Sequence, residues 1–336
     1  MIGGQSSTAF IYDVTDPVRP RLQCRVLGTS AHLSGETNFA YLDPRSADQT
    51  NIVTHWFADG HERYAGTLPV SVSKGAWLPN GILSAYTVRV GESMQVWLYE
   101  GGTSSLLFTY PVPAVGCHGC RFGLPHQVLA VSPDASGYLV AGWALGKGGA
   151  GLAVYRMYDR TRVATFDKAV SAFWDRNGHR LFVIGTGGDV AQVWTPESGL
   201  SSVAGAAGWS YMAGLSPDGG QVAYTANTDP NSPTNSPKWR AFVYDQKTAK
   251  TRMLIDTLRT QVLFVRSGWV WYLEEVPCDT GGCQQMGTVP TGKVFAMQLS
   301  SGTETEVTFA AGANPVMPTA DVNWLPFTPG EFWPQS

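Results

Sequence analysis

The sequence predicts an all-β fold, a seven-bladed β-propeller of four-stranded antiparallel blades, with a six-bladed ring as the alternative. Three observations lead to this prediction. A strand–turn–strand unit recurs at a mean spacing of about 48 residues, close to the roughly 40–45 residues of a four-stranded blade. Apolar and polar residues alternate along the runs that flank each turn, as in a β-strand. No stretch has the periodicity of a long amphipathic helix.

Each repeat is a hairpin centred on a turn rich in Pro, Asp, Asn and Gly. The plainest copies are Val128 to Ala144 (VLAVSPDASGYLVAGWA), Ser171 to Gly185 (SAFWDRNGHRLFVIG) and Met212 to Ala226 (MAGLSPDGGQVAYTA). Weaker copies are centred on Asp43, Asn80 and Ser267, and a half-copy is centred on Pro329. Two further strand-like runs follow most hairpins, so each unit is predicted to have four strands, a to d, with the turn-centred hairpin as a and b.

The two ends of the chain are predicted to complete one blade. The N-terminal run TAFIYDVTDPVRPRLQCRVLG has the pattern of strands c and d, and the C-terminal half-copy VNWLPFTPGEFW has that of a and b. Pairing them would close the ring and leave no exposed sheet edge at the junction. Residues 1–336 are therefore predicted to be one propeller domain, either a whole protein or the excised ectodomain of a longer chain.

The turn motifs resemble those of a known family. Ser216-Pro217-Asp218-Gly219 and Ser132-Pro133-Asp134, each followed by an alternating strand, are similar to the repeats of TolB-type, WD-repeat-like β-propellers. The Gly-His and Trp-Asp signatures of regular WD repeats are absent, which places the chain nearer the TolB-like group. The resemblance implies a fold and not a function, because propellers of this kind serve as protein-binding platforms, enzymes and adaptor domains.

Composition excludes several classes of function. The net charge is -3, and no cluster of Lys or Arg marks a surface for phosphate backbones, so nucleic acid is not expected as a partner. No segment reaches the roughly 18 apolar residues of a membrane span. The N-terminus lacks the charged and apolar regions of a signal peptide, so the chain is either cytoplasmic or a mature extracytoplasmic chain.

Asp134, Asn177 and Asp218 occupy equivalent turn positions. Short polar side chains there bond nearby backbone N–H groups, which is a structural role. A calcium site would need several oxygens converging on one point, and these residues belong to different blades.

Insertions are predicted to concentrate on one face. The a–b and c–d turns are short, whereas the b–c and d–a connections are long, and binding residues concentrate on loops of a rigid scaffold. The connections assigned to this second face are 28–37, 57–63, 113–126, 144–151, 226–240 and 277–292. A protein, peptide or glycan is expected to bind there.

The ligand-binding candidates are mostly aromatic side chains at the ends of strands on this face. They are Trp209, Tyr211 and Trp239, together with Arg121 and His118 in an inserted loop. Most other tryptophans, such as Trp174, Trp194 and Trp271, fall inside strands and are expected to pack between blades.

Histidines and acids near the same face leave an enzyme as the second hypothesis. His32, His61, His126 and Glu274 are the candidates for a ligand or general base. No two histidines have HExxH spacing, and the chain has no GxSxG elbow, no P-loop, and no GxGxxG that follows a strand and precedes a helix. No cofactor or metal is therefore predicted.

The five cysteines include two closely spaced pairs. Cys117 and Cys120, and Cys278 and Cys283, are predicted to form two local disulfides, which favours an oxidising compartment. One four-thiolate zinc site and free thiols are the alternatives. Haem attachment needs His directly after the second Cys, and Arg121 is there instead. Cys24 is odd and is predicted to be a buried free thiol.

The sequence therefore predicts an extracytoplasmic recognition or scaffold module. The alternative is a lyase or hydrolase acting on carbohydrate or peptide, with its site at the mouth of the central channel.

Overall fold

The computed structural model describes residues 8–33, 37–112, 126–134, 136–144, 151–167, 169–175, 177–185, 191–203, 214–216, 218–229, 238–277 and 288–309 of the 336-residue chain. Within these residues every regular element is a β-strand, which confirms the all-β class. The strands form antiparallel sheets, one of two strands and six of four, numbered here in chain order.

Sheet 1 contains β1 (Thr8–Asp13) and β2 (Arg21–Leu27), and sheet 2 contains β3 (Thr29–Leu33), β4 (Asn38–Ser46), β5 (Gln49–Trp56) and β6 (Glu62–Leu68). Sheet 3 contains β7 (Lys74–Trp77), β8 (Leu83–Val90), β9 (Ser93–Glu100) and β10 (Thr103–Pro111). Sheet 4 contains β11 (His126–Val131), β12 (Tyr138–Ala144), β13 (Leu152–Arg156) and β14 (Thr161–Phe166).

Sheet 5 contains β15 (Ala169–Trp174), β16 (Leu181–Gly185), β17 (Gln192–Thr195) and β18 (Gly199–Ser202). Sheet 6 contains β19 (Gly214–Leu215), β20 (Gln221–Asn227), β21 (Trp239–Asp245) and β22 (Lys250–Met253). Sheet 7 contains β23 (Arg259–Arg266), β24 (Trp269–Pro277), β25 (Thr288–Gln298) and β26 (Thr303–Glu306).

The first strand of each four-stranded sheet lies innermost. Contacts join β3 to β7, β7 to β11, β11 to β15 and β19 to β23, whereas the fourth strands lie at the outer edges. The four strands of each sheet are therefore a, b, c and d from the centre outwards.

The hydrophobic core lies between sheets. One cluster joins Leu42 of sheet 2 to Leu83 of sheet 3, and another joins Phe182 of sheet 5 to Tyr224 of sheet 6. The corresponding clusters join sheets 1 and 2, 3 and 4, 4 and 5, and 6 and 7. Burial of each such large apolar side chain contributes roughly 1.5–3 kcal/mol, so each sheet is held by the neighbours on either side.

Sheet 1 also contacts sheet 7. Val14 and Val18, in the β1–β2 connection, pack in a cluster with Trp271 of β24. The Trp271 indole Nε1 donates to the Pro17 carbonyl oxygen at 2.9 Å, and the Thr308 amide donates to the Val18 carbonyl oxygen at 2.9 Å. The C-terminal half-copy predicted to pair with sheet 1, residues 322–333, lies outside the described residues.

The predicted role of the turn aspartates is confirmed at two positions. Asp134 accepts hydrogen bonds from the Ser132 hydroxyl and from the Ser136 amide, the latter at 2.9 Å. Asp218 accepts from the Ser216 hydroxyl at 2.5 Å and from the Gly220 amide at 3.0 Å. Each carboxylate therefore stabilises its own a–b turn.

Sheet 2 departs from the prediction. The hairpin around Asp43, predicted to be strands a and b, is strands b and c, because β3 supplies strand a. β3 lies in a segment predicted to be a loop, since TSAHL lacks the alternating apolar pattern of the other inner strands. This shift by one strand reverses the face on which two connections of sheet 2 lie.

Candidate functional site

The order of the strands determines the face on which each connection lies. Successive strands of an antiparallel sheet run in opposite directions, so b–c and d–a connections share one end and a–b and c–d connections share the other. The b–c/d–a end is called the long-loop face, because it carries the connections 112–125, 145–151, 228–238 and 278–287. The a–b/c–d end is called the short-turn face.

Four of the six predicted loop assignments are confirmed. Those around 113–126, 144–151, 226–240 and 277–292 are d–a or b–c connections. The other two were wrong. The segment 28–37 contains β3 and the a–b connection of sheet 2, and the segment 57–63 spans its c–d connection. Both connections lie on the short-turn face.

The four acid–base candidates are divided between the two faces. Glu274 pairs with Arg259 at the start of β23, and His126 begins β11, so both lie toward the long-loop face. His32, near the end of β3, and His61, in the c–d connection of sheet 2, are on the short-turn face. With strands of five or six residues rising 3.3 Å each, the two groups are roughly 20 Å apart. The prediction that His32 and His61 share the mouth with Glu274 was therefore wrong.

His32 occupies a structural position between sheets 2 and 3. Its imidazole hydrogen-bonds the main chain of Leu78 and Pro79 in the a–b turn of sheet 3, while Nε2 is buried without a partner. Desolvation by burial lowers the pKa of His32 from 6.5 to about 4. The imidazole is therefore neutral at physiological pH and packs as part of the core.

A second group on the short-turn side of sheet 2 was missed by the sequence analysis. The Tyr41 hydroxyl donates to Glu62 Oε1 at 2.8 Å, and His55 Nδ1 lies 3.3 Å from the same oxygen. Cys24 is a free, half-buried thiol near this carboxylate, and desolvation together with the charge of Glu62 raises its pKa to about 11. The Cys24 thiol is therefore protonated and unreactive at neutral pH.

A buried charge cluster surrounds Arg259, which begins β23 at the long-loop end of sheet 7. This side chain is 7% exposed, and its Nη2 donates to Glu304 Oε1 at 2.6 Å while Nη1 lies 3.6 Å from Glu274 Oε1. The guanidinium carbon lies 4.7 Å from the centre of the Phe295 ring and 5.6 Å from that of Tyr272. The Arg259 side chain therefore extends across sheet 7 and positions Glu274 toward the long-loop end of β24.

The stems of the 278–287 loop are fixed by a buried carboxylate. Glu275, only 3% exposed, accepts hydrogen bonds from the hydroxyl of Thr260 at 2.7 Å and from that of Thr288. The next acid, Glu274, accepts from the Thr291 hydroxyl at 2.9 Å. These bonds tie the outgoing and returning stems of the loop to each other and to the inner strand β23.

The stems of the 230–237 loop in sheet 6 are fixed in a similar way. Asn227 Oδ1 accepts from the amides of Asp229 and Lys238 at 3.1 and 3.0 Å. The Lys238 ammonium lies 3.2 Å from Asp229 Oδ2. Trp239 begins β21 directly after this stem, and Arg240 Nε donates to Asp256 Oδ1 at 2.8 Å beside it.

A polar and aromatic cluster flanks the 113–125 loop between sheets 3 and 4. Gln127 Nε2 donates to the Tyr110 hydroxyl at 3.1 Å, and the Lys74 ammonium lies 3.4 Å from the Gln127 carbonyl oxygen. The Trp143 ring meets Tyr110 edge-on at 6.4 Å, and its indole Nε1 is buried without a partner. Burial raises the pKa of Tyr110 to about 12, so its hydroxyl is neutral. Gln127 and Trp143 are opposite each other in the β11–β12 hairpin, so the sequence could have predicted this pair. It could not have predicted Tyr110, which belongs to the neighbouring sheet.

Of the predicted ligand-binding set, Trp239 lies on the long-loop face as expected. The others, Arg121, His118, Trp209 and Tyr211, lie outside the described residues, and so do the four cysteines predicted to form disulfides. Among the residues that the structure describes, no group of three His, Cys, Asp or Glu side chains could hold a metal ion. Within the same part of the chain, no helix is long and apolar enough to cross a membrane.

No family model matches the chain, and no curated protein matches it significantly. Solved structures match its fold. The β-propeller domain of the Trilobed protease from Pyrococcus furiosus matches with a TM-score of 0.50 and 12% identity, over 84% of each chain. The tricorn protease matches with a TM-score of 0.53 and 14% identity, over 90% of this chain and 32% of that one. The chain has a β-propeller fold.

TolB from Acinetobacter baumannii also matches, with a TM-score of 0.44 and 14% identity, over 82% of this chain. The chain spans 64% of that TolB and about a third of the tricorn protease. The Trilobed protease and tricorn matches confirm the predicted propeller as a fold. At these identities the matches establish the fold alone, because propellers support both binding and catalysis.

Proposed function

We propose that this propeller is a recognition or scaffold module whose long-loop face binds a protein, peptide or glycan. The observation that carries the proposal is the placement of the long connections together on one face, on stems fixed by side-chain bonds. Glu275 fixes one loop, and Asn227 with the Asp229–Lys238 pair fixes another. Loops held on a rigid scaffold lose less conformational freedom when they bind, which favours recognition.

The proposal includes a closed seven-bladed ring. Sheet 1 would be the outer half of the seventh blade, and residues 322–333 would supply its two inner strands. Support comes from the packing of sheet 1 against both sheet 2 and sheet 7. Phe309, where the described chain ends, packs edge-on against Tyr12 of β1 at 5.7 Å, so the chain leaves sheet 7 beside the strand it would pair with. A propeller with an open velcro topology is described for the Trilobed protease, so closure needs its own test.

We also propose an extracytoplasmic location, on the expectation that Cys117 pairs with Cys120 and Cys278 with Cys283. A mass measurement on alkylated, non-reduced protein tests this. The expected result is one blocked thiol, that of Cys24, in the unfolded protein. Five blocked thiols without bound zinc would contradict both disulfides and the location.

A ligand selection tests the recognition role. A random peptide library and a glycan array are screened with the purified chain, and the selected ligand is titrated against variants. Trp239→Ala is expected to weaken binding about tenfold or more, as for an aromatic anchor. Trp56→Ala, on the short-turn face, is the matched control and should leave affinity unchanged. The proposal would be contradicted if Trp56→Ala lost binding while Trp239→Ala kept it, or if neither screen retained a ligand.

A further inference from the structure

The short-turn face carries an exposed aromatic side chain that is held in place. Tyr158, in the c–d turn of sheet 4, is 77% exposed, the largest exposure among the large apolar side chains that the structure describes. The guanidinium carbon of Arg156 lies 5.0 Å from the centre of its ring. One face of the ring is therefore covered by a cation while the rest meets solvent.

Arg156 is itself fixed by its neighbour in the same turn. Its Nε lies 3.2 and 3.0 Å from the two carboxylate oxygens of Asp159, and its Nη2 donates to Oδ2 at 2.5 Å. The Thr161 amide donates to Asp159 Oδ1 at 3.1 Å. The hydrogen bond from Arg156 holds the pKa of Asp159 at about 2, so the pair stays ionised at physiological pH. The Tyr158 ring is thus held by an arginine that is itself fixed, and the side chain would lose little rotamer freedom on binding.

A further exposed apolar side chain lies at the boundary between sheets 3 and 4. Ile82, at the a–b turn of sheet 3, is 55% exposed. The Ser84 hydroxyl, two residues after Ile82, lies 4.0 Å from Met157 Sδ, which adjoins Tyr158. Arg160 Nη1 donates to the Leu106 carbonyl oxygen at 3.3 Å. Ile82 and Tyr158 therefore lie on one surface, called the Tyr158 patch, with Arg160 at its edge.

The charge beside the patch is positive. Segment 156–162 contains three arginines and one aspartate in a chain of net charge -3. Because Arg156 and Asp159 neutralise each other, the exposed guanidinium groups of Arg160 and Arg162 set the local sign. An exposed aromatic anchor with arginines at its edge is the composition enriched at protein–protein contacts.

We propose that the Tyr158 patch is a second binding surface, which takes an acidic peptide segment of a partner protein with an apolar residue seated against Tyr158. The surface is on the opposite face from the loops of the proposed function and does not depend on them. Acidic residues flanking the apolar anchor would meet Arg160 and Arg162.

The test uses fluorescein-labelled ten-residue peptides of Glu and Asp with a central Leu, Phe or Trp, and the same peptides with Lys in place of the acids. Anisotropy titrations on the full chain should give binding of the acidic set alone, weakened by salt. Tyr158→Ala is expected to reduce affinity about tenfold or more. Arg156→Lys keeps the charge but loses the bidentate contact, so it should also weaken binding.

Two controls separate this surface from others. Tyr64→Ala is matched, because Tyr64 is 54% exposed and has the Arg45 guanidinium 5.9 Å from its ring centre, but it lies on β6 of sheet 2. Neither Tyr64→Ala nor Trp239→Ala should change peptide affinity. The proposal is overturned if no acidic peptide binds below about 1 mM, if Lys peptides bind equally, or if Tyr158→Ala binds like the wild type. Tyr158-dependent binding of glycans without peptide binding would also overturn it.

Discussion

At the residue scale, Gly178 shows how closely two turns approach. It lies at φ 74° in the a–b turn of sheet 5, and a Cβ added there would be 2.5 Å from Asp134 Oδ1 of the turn in sheet 4. Gly137 has a similar φ of 81°, but an added Cβ would meet nothing within 4 Å. The two glycines therefore share a conformation and differ in their surroundings.

Gly178→Ala should destabilise the protein more than Gly137→Ala. Positive φ alone costs Ala roughly 1 kcal/mol, and the displaced Asp134 carboxylate adds about 1–3 kcal/mol at position 178. Urea unfolding of both variants measures the difference. Equal losses of stability would show that the two turns do not pack against each other.

His32 should make stability depend on pH. The folded state keeps the imidazole neutral to about pH 4, whereas the unfolded chain takes up a proton near its ordinary pKa of 6.5. Stability is therefore lost as the pH falls from 6.5 to 4, by about 3 kcal/mol over the whole range.

His32→Asn keeps a donor near the position of Nδ1 and cannot titrate, so it should remove this part of the pH dependence. Urea unfolding at pH 7 and pH 4 measures it. The control is His61→Asn, at an exposed histidine, which should keep the wild-type slope. The same slope in His32→Asn as in the wild type would contradict a neutral buried imidazole.

Residue identities predicted the turn aspartates correctly, because each bonds within its own turn. They could not predict Arg259 with Glu304, which are 45 residues apart, or Trp271 with Pro17, which are 254 apart. Such partners are set by the packing of whole sheets. His32 looked like a catalytic candidate for the same reason, since its burial depends on the next sheet.

At the element scale, the hairpins were predictable and one inner strand was not. The Pro, Asp and Gly turns mark the a–b hairpins of sheets 3 to 7 directly. β3 is five residues long and contains Thr, Ser and His, so its formation as a strand depends on contacts with the neighbouring sheet. The Ser30 hydroxyl accepts from the Gly75 amide at 2.9 Å, and its carbonyl accepts from Trp77 Nε1 at 2.7 Å. Contacts with sheet 3 therefore stabilise a strand that the local sequence does not indicate.

The stems of the long loop in sheet 7 should depend on Glu275. Thr260→Val and Thr288→Val each remove one hydroxyl donor to this buried carboxylate, so each should cost about 1–3 kcal/mol. Thr291→Val is the control, since its hydrogen bond to Glu274 is exposed to solvent. It should lower the free energy of unfolding by less than about 0.5 kcal/mol. Urea unfolding measures all three. An equal cost in the control would mean that Glu275 does not hold the stems.

At the scale of the whole molecule, tryptophans link neighbouring sheets by hydrogen bonds to the main chain. Trp174 Nε1 of sheet 5 donates to the Ala130 carbonyl oxygen of sheet 4 at 3.1 Å. Trp271 of sheet 7 donates in the same way to Pro17, next to sheet 1. The first bond joins two inner strands, β15 and β11, and the second joins β24 of sheet 7 to the β1–β2 connection.

Trp271→Phe and Trp174→Phe should each cost about 1–2 kcal/mol, because each removes one hydrogen bond between neighbouring parts of the fold. Thermal or urea unfolding compares the two variants. A cost near zero for Trp271→Phe beside a normal cost for Trp174→Phe would contradict the contact between sheet 7 and the β1–β2 connection.

The central claim is that ligands bind the long-loop face, and hydrogen–deuterium exchange with a selected peptide or glycan tests it most directly. The protein used carries Tyr158→Ala, so that the Tyr158 patch does not contribute. Bound ligand should slow exchange in the loop stems at 227–229, 238–240, 274–277 and 288–291, and leave the turns at 132–138, 175–180 and 216–221 unchanged. Slower exchange confined to those turns would contradict the account.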